Sequence, residues 1–330
     1  MGSKLSWGII GTADIGRWQV APAIQGSQYG RVAAIASRDE NRARRYAEEI
    51  GIEKVYGNYD EILADDDIDA VYIPLPNSLH SEWVERSAEA GMSILCEKPL
   101  ATSAEETAKA IDVCERRNVR LMEGFMYRFH PQTLRVKEVI ESGEIGEVRE
   151  VHAHLSVNIR RDADENNIRF QPELGGGALL DMGCYSVSIA RMCFGSEPER
   201  AAGLLRVDER FGVDMSFGAM LEFGGGIAFV SGSFEADGNG AYKVVGTQGS
   251  IEVPRGIIPG LDSRAGEGLV IVCDRDSNRR EEKFEPVNQY RLMIDTFSKA
   301  ILDNDSLPLS PEESLSNMKV LDAVSSGRLP

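Results

Sequence analysis

Along the first third of the chain, apolar residues fall in short, nearly unbroken runs rather than in alternation. Trp7-Gly8-Ile9-Ile10, Val32-Ala33-Ala34-Ile35-Ala36, Ala70-Val71-Tyr72-Ile73, Ser93-Ile94-Leu95-Cys96 and Arg120-Leu121-Met122-Glu123 each have the length of one strand. Such runs predict strands covered on both faces, as in a parallel sheet. Helix-start signals lie between them. Asn58-Tyr59-Asp60-Glu61 and Ser103-Ala104-Glu105-Glu106 have the capping-box spacing, in which the first side chain and the glutamate satisfy orphan backbone donors reciprocally. Strand and helix in alternation predict a doubly wound parallel sheet, the α/β arrangement of a Rossmann domain, over residues 1–125.

From residue 126 the pattern changes. Val148 to Asn158, Met215 to Phe223, Ile227 to Phe234, Tyr242 to Val245, Ser250 to Val253 and Gly268 to Cys273 read as strands. Phe223-Gly224-Gly225-Gly226-Ile227 reads as a hairpin connection. Helical patterns cover about residues 131–142, 178–194 and 289–303, and Ser310-Pro311-Glu312-Glu313 opens a last helix. The expectation is a second, α+β domain over residues 126–330 with a mostly antiparallel sheet.

Composition narrows the function classes. The chain has 330 residues, 42% hydrophobic and 27% charged, as for a soluble two-domain protein. A formal net charge of −17 argues against nucleic acid and anionic membranes as partners. Cys96, Cys114, Cys184, Cys193 and Cys273 form no CxxC pair, and the four histidines show no ligand spacing, so neither a disulfide framework nor a metal site is expected. Reduced thiols and the lack of a membrane-length apolar stretch point to the cytoplasm. A myristoylation-like start at Gly2 is set aside, because the first strand begins as early as Leu5 and leaves little tether.

Two features bring in chemistry. Gly11-Thr12-Ala13-Asp14-Ile15-Gly16 follows a strand and opens a helix, as a dinucleotide loop does, although alanine replaces the glycine that lets the backbone approach a pyrophosphate. The second strand ends in Ser37, Arg38 and Asp39, with Arg42 one turn on. A hydroxyl and two guanidiniums suit a 2′-phosphate, so NADP is expected over NAD; otherwise Asp39 caps a solvated helix start. Leu75, Pro76, Asn77 and His80 follow another strand, and Asn77 and His80 are within reach of a cofactor; His80 is equally read as packed against its own loop. The second feature is Glu97-Lys98-Pro99. A lysine at the end of a later strand of the same sheet projects toward the ligand crevice, where it can polarise a hydroxyl or carbonyl beside a nicotinamide.

With Lys98 in place the chain resembles the glucose–fructose oxidoreductase and inositol dehydrogenase (Gfo/Idh/MocA) family. Five motifs carry the likeness: Trp7 to Gly11, Pro76 to His80, Glu97 to Leu100, Glu123 to Arg128, and Gly175 to Tyr185. The resemblance implies a Rossmann domain followed by an α+β domain with a large, mostly antiparallel open sheet. One face of that sheet is the expected subunit interface of a homo-oligomer, a dimer or tetramer. It implies catalysis by Lys98, Asp181 and Tyr185, with tyrosine where many polyol-oxidising relatives have histidine. Asp181 and Tyr185 are four apart and share one helical face. Gly175-Gly176-Gly177 before them reads as a flexible entry that lets a ligand come close. A phenol near pKa 10 becomes a usable acid–base group beside the Lys98 ammonium. Alternatively Tyr185 is a packed core aromatic and Asp181 a buried cap.

Arg128 belongs to a family motif and is expected near both cofactor and substrate. Asn158, Arg160, Arg161 and Arg169 lie in or beside a polar stretch that is either a loop over the site or a run of solvated charges. The implied activity is hydride transfer between nicotinamide C4 and a sugar carbon, first as an NADP-dependent aldose 1-dehydrogenase of the xylose or glucose type. A ketosugar reductase, on a nucleotide-linked sugar among others, and a trans-dihydrodiol dehydrogenase are the enzymatic alternatives. A non-catalytic NADP-binding regulator on the same fold is the alternative of another class.

Overall fold

A computed structural model describes residues 4–160, 164, 166–259 and 267–327. The chain divides into two compact units. One holds the residues through Met126 together with Asn288–Leu315, the other Tyr127–Val287 together with the residues from Ser316 onward.

The first unit is built on a six-stranded sheet: β1 (Leu5–Ile10), β2 (Gly30–Ala36), β3 (Lys54–Tyr56), β4 (Ala70–Ile73), β5 (Ser93–Cys96) and β6 (Leu121–Glu123). The order is β3-β2-β1-β4-β5-β6 with all pairings parallel. The chain reverses its direction of travel across the sheet at β1 and β4, and ligands of such sheets bind outside the carboxyl ends of the strands at that point. β3 escaped the sequence reading because it has only three residues, all half-buried. Helices α1 (Ala21–Gly26), α2 (Glu40–Ile50), α3 (Tyr59–Leu63), α4 (Asn77–Glu89) and α5 (Ala104–Arg117) connect the strands.

Both predicted caps form, in a modified way. Asn58 and Ser103 accept from the amides of Glu61 and Glu106. Each glutamate, however, reaches one residue further back than the box requires: Glu61 accepts from the Gly57 amide at 3.1 Å and Glu106 from the Thr102 amide at 3.1 Å.

Residues 288–315 pack with this first unit, which corrects the expected grouping of residues 126–330. The reason is a hydrophobic seat on β1. Phe297 of α8 (Gln289–Asp303) lies with its ring 5.0 Å from that of Trp7, and the Trp7 indole donates to Ser298 Oγ at 3.2 Å. Both rings are fully buried.

The second unit carries α6 (Pro131–Glu141), β7 (Val148–Ser156), α7 (Cys184–Phe194) and β8 (Arg200–Val207). β9 (Asp214–Phe223), β10 (Gly226–Ser233), β11 (Gly238–Gly246), β12 (Gly249–Val253), β13 (Gly268–Asp274) and β14 (Arg279–Phe284) follow. The eight strands form one sheet in the order β14-β13-β12-β11-β7-β10-β9-β8, antiparallel throughout except for β7 beside β10. Gly224-Gly225 form the predicted hairpin between β9 and β10.

Helix α7 covers one face. Beneath it the sheet buries Val151, Ala153 and Leu155 of β7, Phe217 and Leu221 of β9, and Ala228 and Val230 of β10. The other face carries His152, His154, Leu204, Met220, Ile227 and Phe229 at or near the surface, with His152 stacked on Phe229 at 5.0 Å. The last helix, α9 (Pro311–Ser326), contains the division between the units.

Candidate active site

The first unit gathers its predicted residues on one edge of the sheet. Gly11 follows β1, Ser37 follows β2, Pro74 follows β4, Glu97 follows β5 and Gly124 follows β6. Gly11 has φ +117°, and a Cβ there would lie 3.0 Å from Leu75 Cδ2. Both its dihedral and its neighbour therefore call for glycine. The helix after the loop runs from Asp14, through a π-turn at Gly16–Val20, into α1. A Cβ on Gly16 would stand 3.1 Å from the Tyr46 hydroxyl and 3.4 Å from the Tyr72 ring, so this glycine seats the helix on the sheet. Thr12 and Ala13 are half-buried, and Asp14 is exposed. The first-turn amides of that helix face no earlier helical carbonyl, which is the arrangement that binds an anion.

The donors at the end of β2 converge on this loop. Arg42 Nη2 donates to the Thr12 carbonyl at 3.0 Å, which holds its guanidinium beside the loop. Ser37 Oγ accepts from the Asp39 amide at 3.2 Å. Burial raises the Tyr59 phenol, and the Arg38 guanidinium beside it offsets part of that rise. Asp39 caps α2 by accepting from the Arg42 amide at 3.1 Å, so its carboxylate serves the helix.

His80 departs from the cofactor-contact expectation. Its Nδ1 lies 2.7 Å from the Pro99 carbonyl and its Nε2 2.8 Å from the Leu75 carbonyl, and the ring is buried. Both nitrogens are occupied by the protein's own backbone. His80 is thus a clasp between the loop after β4 and the turn at Lys98. Burial depresses its pKa to about 4, outweighing the two carbonyls.

The Lys98 turn is held from several sides. The Lys98–Pro99 peptide is cis. The Tyr72 hydroxyl donates to Glu97 Oε1 at 2.7 Å, and the Leu100 amide donates to Glu123 Oε1 at 2.9 Å. A Cβ on Gly124 would sit 3.2 Å from the Cys96 carbonyl oxygen. Tyr72, Glu123 and Tyr46 were not foreseen as parts of this edge: their partners lie 23 or more residues away or on another strand, and no local pattern reports that. Leu75 and Pro99 are buried; Pro76, Asn77, Glu97 and Lys98 are half-buried.

In the second unit Arg169, Asp181 and Tyr185 come together. Arg169 Nε donates to Asp181 Oδ2 at 2.7 Å, and this carboxylate, with a smaller contribution from Tyr185, raises the guanidinium's pKa. The Arg169 side chain stays 44% exposed, so the pair adds only about 0–1 kcal/mol of stability. Tyr185 is 6% exposed, and its ring centroid lies 6.0 Å from that of Tyr127. Tyr127, whose phenol burial pushes up to about 12, donates to Ser188 Oγ at 2.8 Å. Arg128 is half-buried on the single turn Met126–Phe129, beside Tyr127 and Cys193. Asn158 is half-buried. Arg160 pairs with Asp208 at 2.9 Å and with Glu235. Arg161 lies outside the described residues.

The helix that bears Asp181 and Tyr185 spans the predicted residues 178–194. It opens with a π-turn at Leu179–Gly183 before α7. The glycines before it do not make room for a ligand. A Cβ on Gly176 would lie 2.6 Å from the Arg169 carbonyl oxygen, and one on Gly177, at φ +112°, would lie 2.1 Å from Asp214 Oδ1. The protein's own atoms fill both spaces. Asp214 Oδ2 accepts from the Leu179 amide at 2.7 Å, a cap of the kind that contributes about 1 kcal/mol. Asp214 follows Leu179 by 35 residues, beyond the reach of any local signal.

Among the described residues no helix is long and apolar enough to cross a membrane, and no group of His, Cys, Asp or Glu gathers as metal ligands do.

Comparison with known proteins places this arrangement. Residues 5–125 match the oxidoreductase family model with an NAD-binding Rossmann fold, and residues 133–252 match the GFO/IDH/MocA C-terminal domain. The chain is 42% identical over 321 residues to a D-xylose 1-dehydrogenase (NADP(+)) of Haloferax volcanii, covering 97% of this chain and 96% of that one. It is 33% identical over 321 residues to a dTDP-3,4-didehydro-2,6-dideoxy-alpha-D-glucose 3-reductase of Actinomadura kijaniata, covering 97% of this chain and 94% of that one. Among solved structures, the 3-ketoreductase KijD10 of Actinomadura kijaniata, in complex with NADP and TDP-benzene, superposes with a TM-score of 0.91 at 31% identity over 98% of both chains.

Proposed function

This chain belongs to the GFO/IDH/MocA oxidoreductase family, and we propose that it is an NADP-dependent aldose 1-dehydrogenase of the xylose or glucose type. The observation that carries the reading is the Arg169–Asp181–Tyr185 group: a guanidinium that grips one carboxylate and interacts with a buried phenol. The residues of the first unit fit the cofactor. Amides of Gly11 to Ile15 hold the pyrophosphate, and Gly11, at φ +117°, gives the loop its turn against Leu75. Ser37, Arg38 and Arg42 hold the 2′-phosphate. Leu75, Pro76, Asn77 and Glu97 flank the remainder of the dinucleotide, and Arg128, a residue of the second unit, is a further proposed contact. Bound NADP⁺ supplies a hydride acceptor at nicotinamide C4.

Lys98 donates a hydrogen bond to the C1 hydroxyl of the sugar. Tyr185 takes the hydroxyl proton as the C1–H bond breaks and the C1–O bond becomes a lactone carbonyl. Asp181 accepts from a second sugar hydroxyl and Arg169 holds that carboxylate. Arg128 and Asn158 complete the substrate contacts.

The similarity to a solved 3-ketoreductase favours a second reading, reduction of a ketosugar with Tyr185 as the proton donor. Reduced-cofactor absorbance, followed with aldoses, ketosugars, nucleotide-linked ketosugars and a trans-dihydrodiol, with NADP and NAD in parallel, separates the two. Lactone formation from an aldose with NADP supports the first reading; turnover of ketosugars alone removes it. Tight NADP binding with no turnover of any of these compounds makes the chain a regulator. Tyr185→Phe should lower kcat by about 10²–10⁴-fold with little change in KM; unchanged kcat removes the proton-transfer role.

The open face of the second unit's sheet supports a homo-oligomer, a dimer or tetramer. Leu204 is 84% exposed there and adjoins Met220 and Phe229, an apolar patch of the kind that marks association. No disulfide joins the five cysteines, and the location proposed is the cytoplasm.

A further inference from the structure

The helix that carries Asp181 and Tyr185 begins without a capping side chain of its own. Its cap position is Gly177, whose carbonyl accepts the first helical bond from the Asp181 amide at 3.2 Å. The role falls to Asp214, at the start of β9, a strand of the sheet beneath. Asp214 Oδ2 accepts from the Leu179 amide at 2.7 Å, and the Ala178 amide also points to this carboxylate. Space for it exists only because Gly177 has no Cβ. The same glycine holds a second element: its amide donates to the Arg169 carbonyl at 3.0 Å. Arg169 in turn grips Asp181 through Nε. One carboxylate therefore bears on both partners of the Arg169–Asp181 pair, on one through the glycine peptide and on the other through the first helical turn. Burial raises the Asp214 carboxyl, while the backbone donors counter it, as expected of a carboxylate enclosed to serve amides.

We infer that Asp214 is a positioning residue of the substrate site, which fixes Arg169, Asp181 and Tyr185 in register by capping their helix from the sheet. The inference rests on the function proposed above for that group. It predicts a loss in turnover rather than in cofactor binding, since the residues proposed to hold NADP, Arg128 apart, belong to the first unit. A displacement of about 1 Å in reacting groups lowers rates by about 10²-fold.

The test compares Asp214→Ala, Asp214→Asn and Gly177→Ala in the full-length protein. Asp214→Ala and Gly177→Ala, which respectively remove the carboxylate and crowd it out, should each lower kcat per NADP-binding site by about 10–100-fold. The NADP Kd should stay within about two-fold of wild type in both. Asp214→Asn keeps an acceptor oxygen for the Leu179 amide and should recover most of the loss. Wild-type kcat in Asp214→Ala overturns the inference. So does an Asp214→Asn variant as impaired as Asp214→Ala, or a parallel loss of NADP binding, both of which mark a merely structural role. Crystal structures of wild type and Asp214→Ala provide a readout independent of turnover, which stands even if no sugar is a substrate and the proposed function fails. An Arg169–Asp181 contact that opens in the variant supports the inference, and one that keeps its 2.7 Å length overturns it.

Discussion

Acid should loosen the first unit through His80. Its imidazole is enclosed, with one ring nitrogen against the Pro99 carbonyl and the other against the Leu75 carbonyl. In the folded protein it takes up a proton only near pH 4, against an ordinary value of 6.5. Between those two pH values the unfolded chain binds the proton and the folded chain does not, so stability falls as pH falls through that window. One pKa unit corresponds to about 1.4 kcal/mol, which makes the full effect about 3 kcal/mol and the part reached by pH 5 about 2 kcal/mol. The perturbation is acidification of wild type and of His80→Gln, a neutral side chain that keeps one donor for the clasp. The assay is the imidazole titration of His80 followed by NMR, together with urea unfolding of both proteins at pH 7 and pH 5. Wild type should lose about 2 kcal/mol more than the variant on going to pH 5. Carboxylates contribute equally to both proteins and cancel in the difference. A His80 resonance that titrates near the ordinary histidine value, or equal losses in the two proteins, refutes the reasoning.

Arg42→Ala removes a guanidinium held against the dinucleotide loop and should raise the KM for NADP by about ten-fold while leaving the KM for NAD nearly unchanged; steady-state kinetics with both cofactors checks this. Phe297→Ala empties the seat beside Trp7 and should destabilise the first unit by about 3–5 kcal/mol, measured as a shift in its urea midpoint. Met220→Glu places a charge on the open sheet face and should convert an oligomer to monomers in sedimentation velocity without altering the far-UV circular dichroism spectrum.

Much of this was legible along the chain because local chemistry expressed it. The parallel sheet follows from apolar runs such as Ala70–Ile73, all four of whose residues are buried. The donor set Ser37, Arg38 and Arg42 was visible because it is local to one strand end and one helix turn. What stayed hidden depends on distant partners or on edges. β14 is Arg-Arg-Glu-Glu-Lys-Phe, which carries no apolar face because it is the outermost strand, where charge discourages pairing with another sheet. β8 forms the opposite edge and alternates poorly, with Leu204 and Val207 turned outward. Gly175-Gly176-Gly177 read as a flexible entry for a ligand, whereas Arg169 and Gln171 fill the space at Gly176 and Asp214 that at Gly177. His80 stood in a suggestive motif, and only the fold shows its ring turned onto two carbonyls. The π-turn at Leu179–Gly183 has no compositional mark of its own.

The return of α8 to the first unit has a consequence for synthesis. On the ribosome the strands through Leu121–Glu123 emerge first, yet the face of Trp7 that Phe297 covers stays bare until nearly three hundred residues have been made. A nascent nucleotide-binding half of this protein is therefore an adhesive intermediate. Fragments truncated near residue 126 should need a chaperone, or a supplied copy of the missing helix, to remain dispersed.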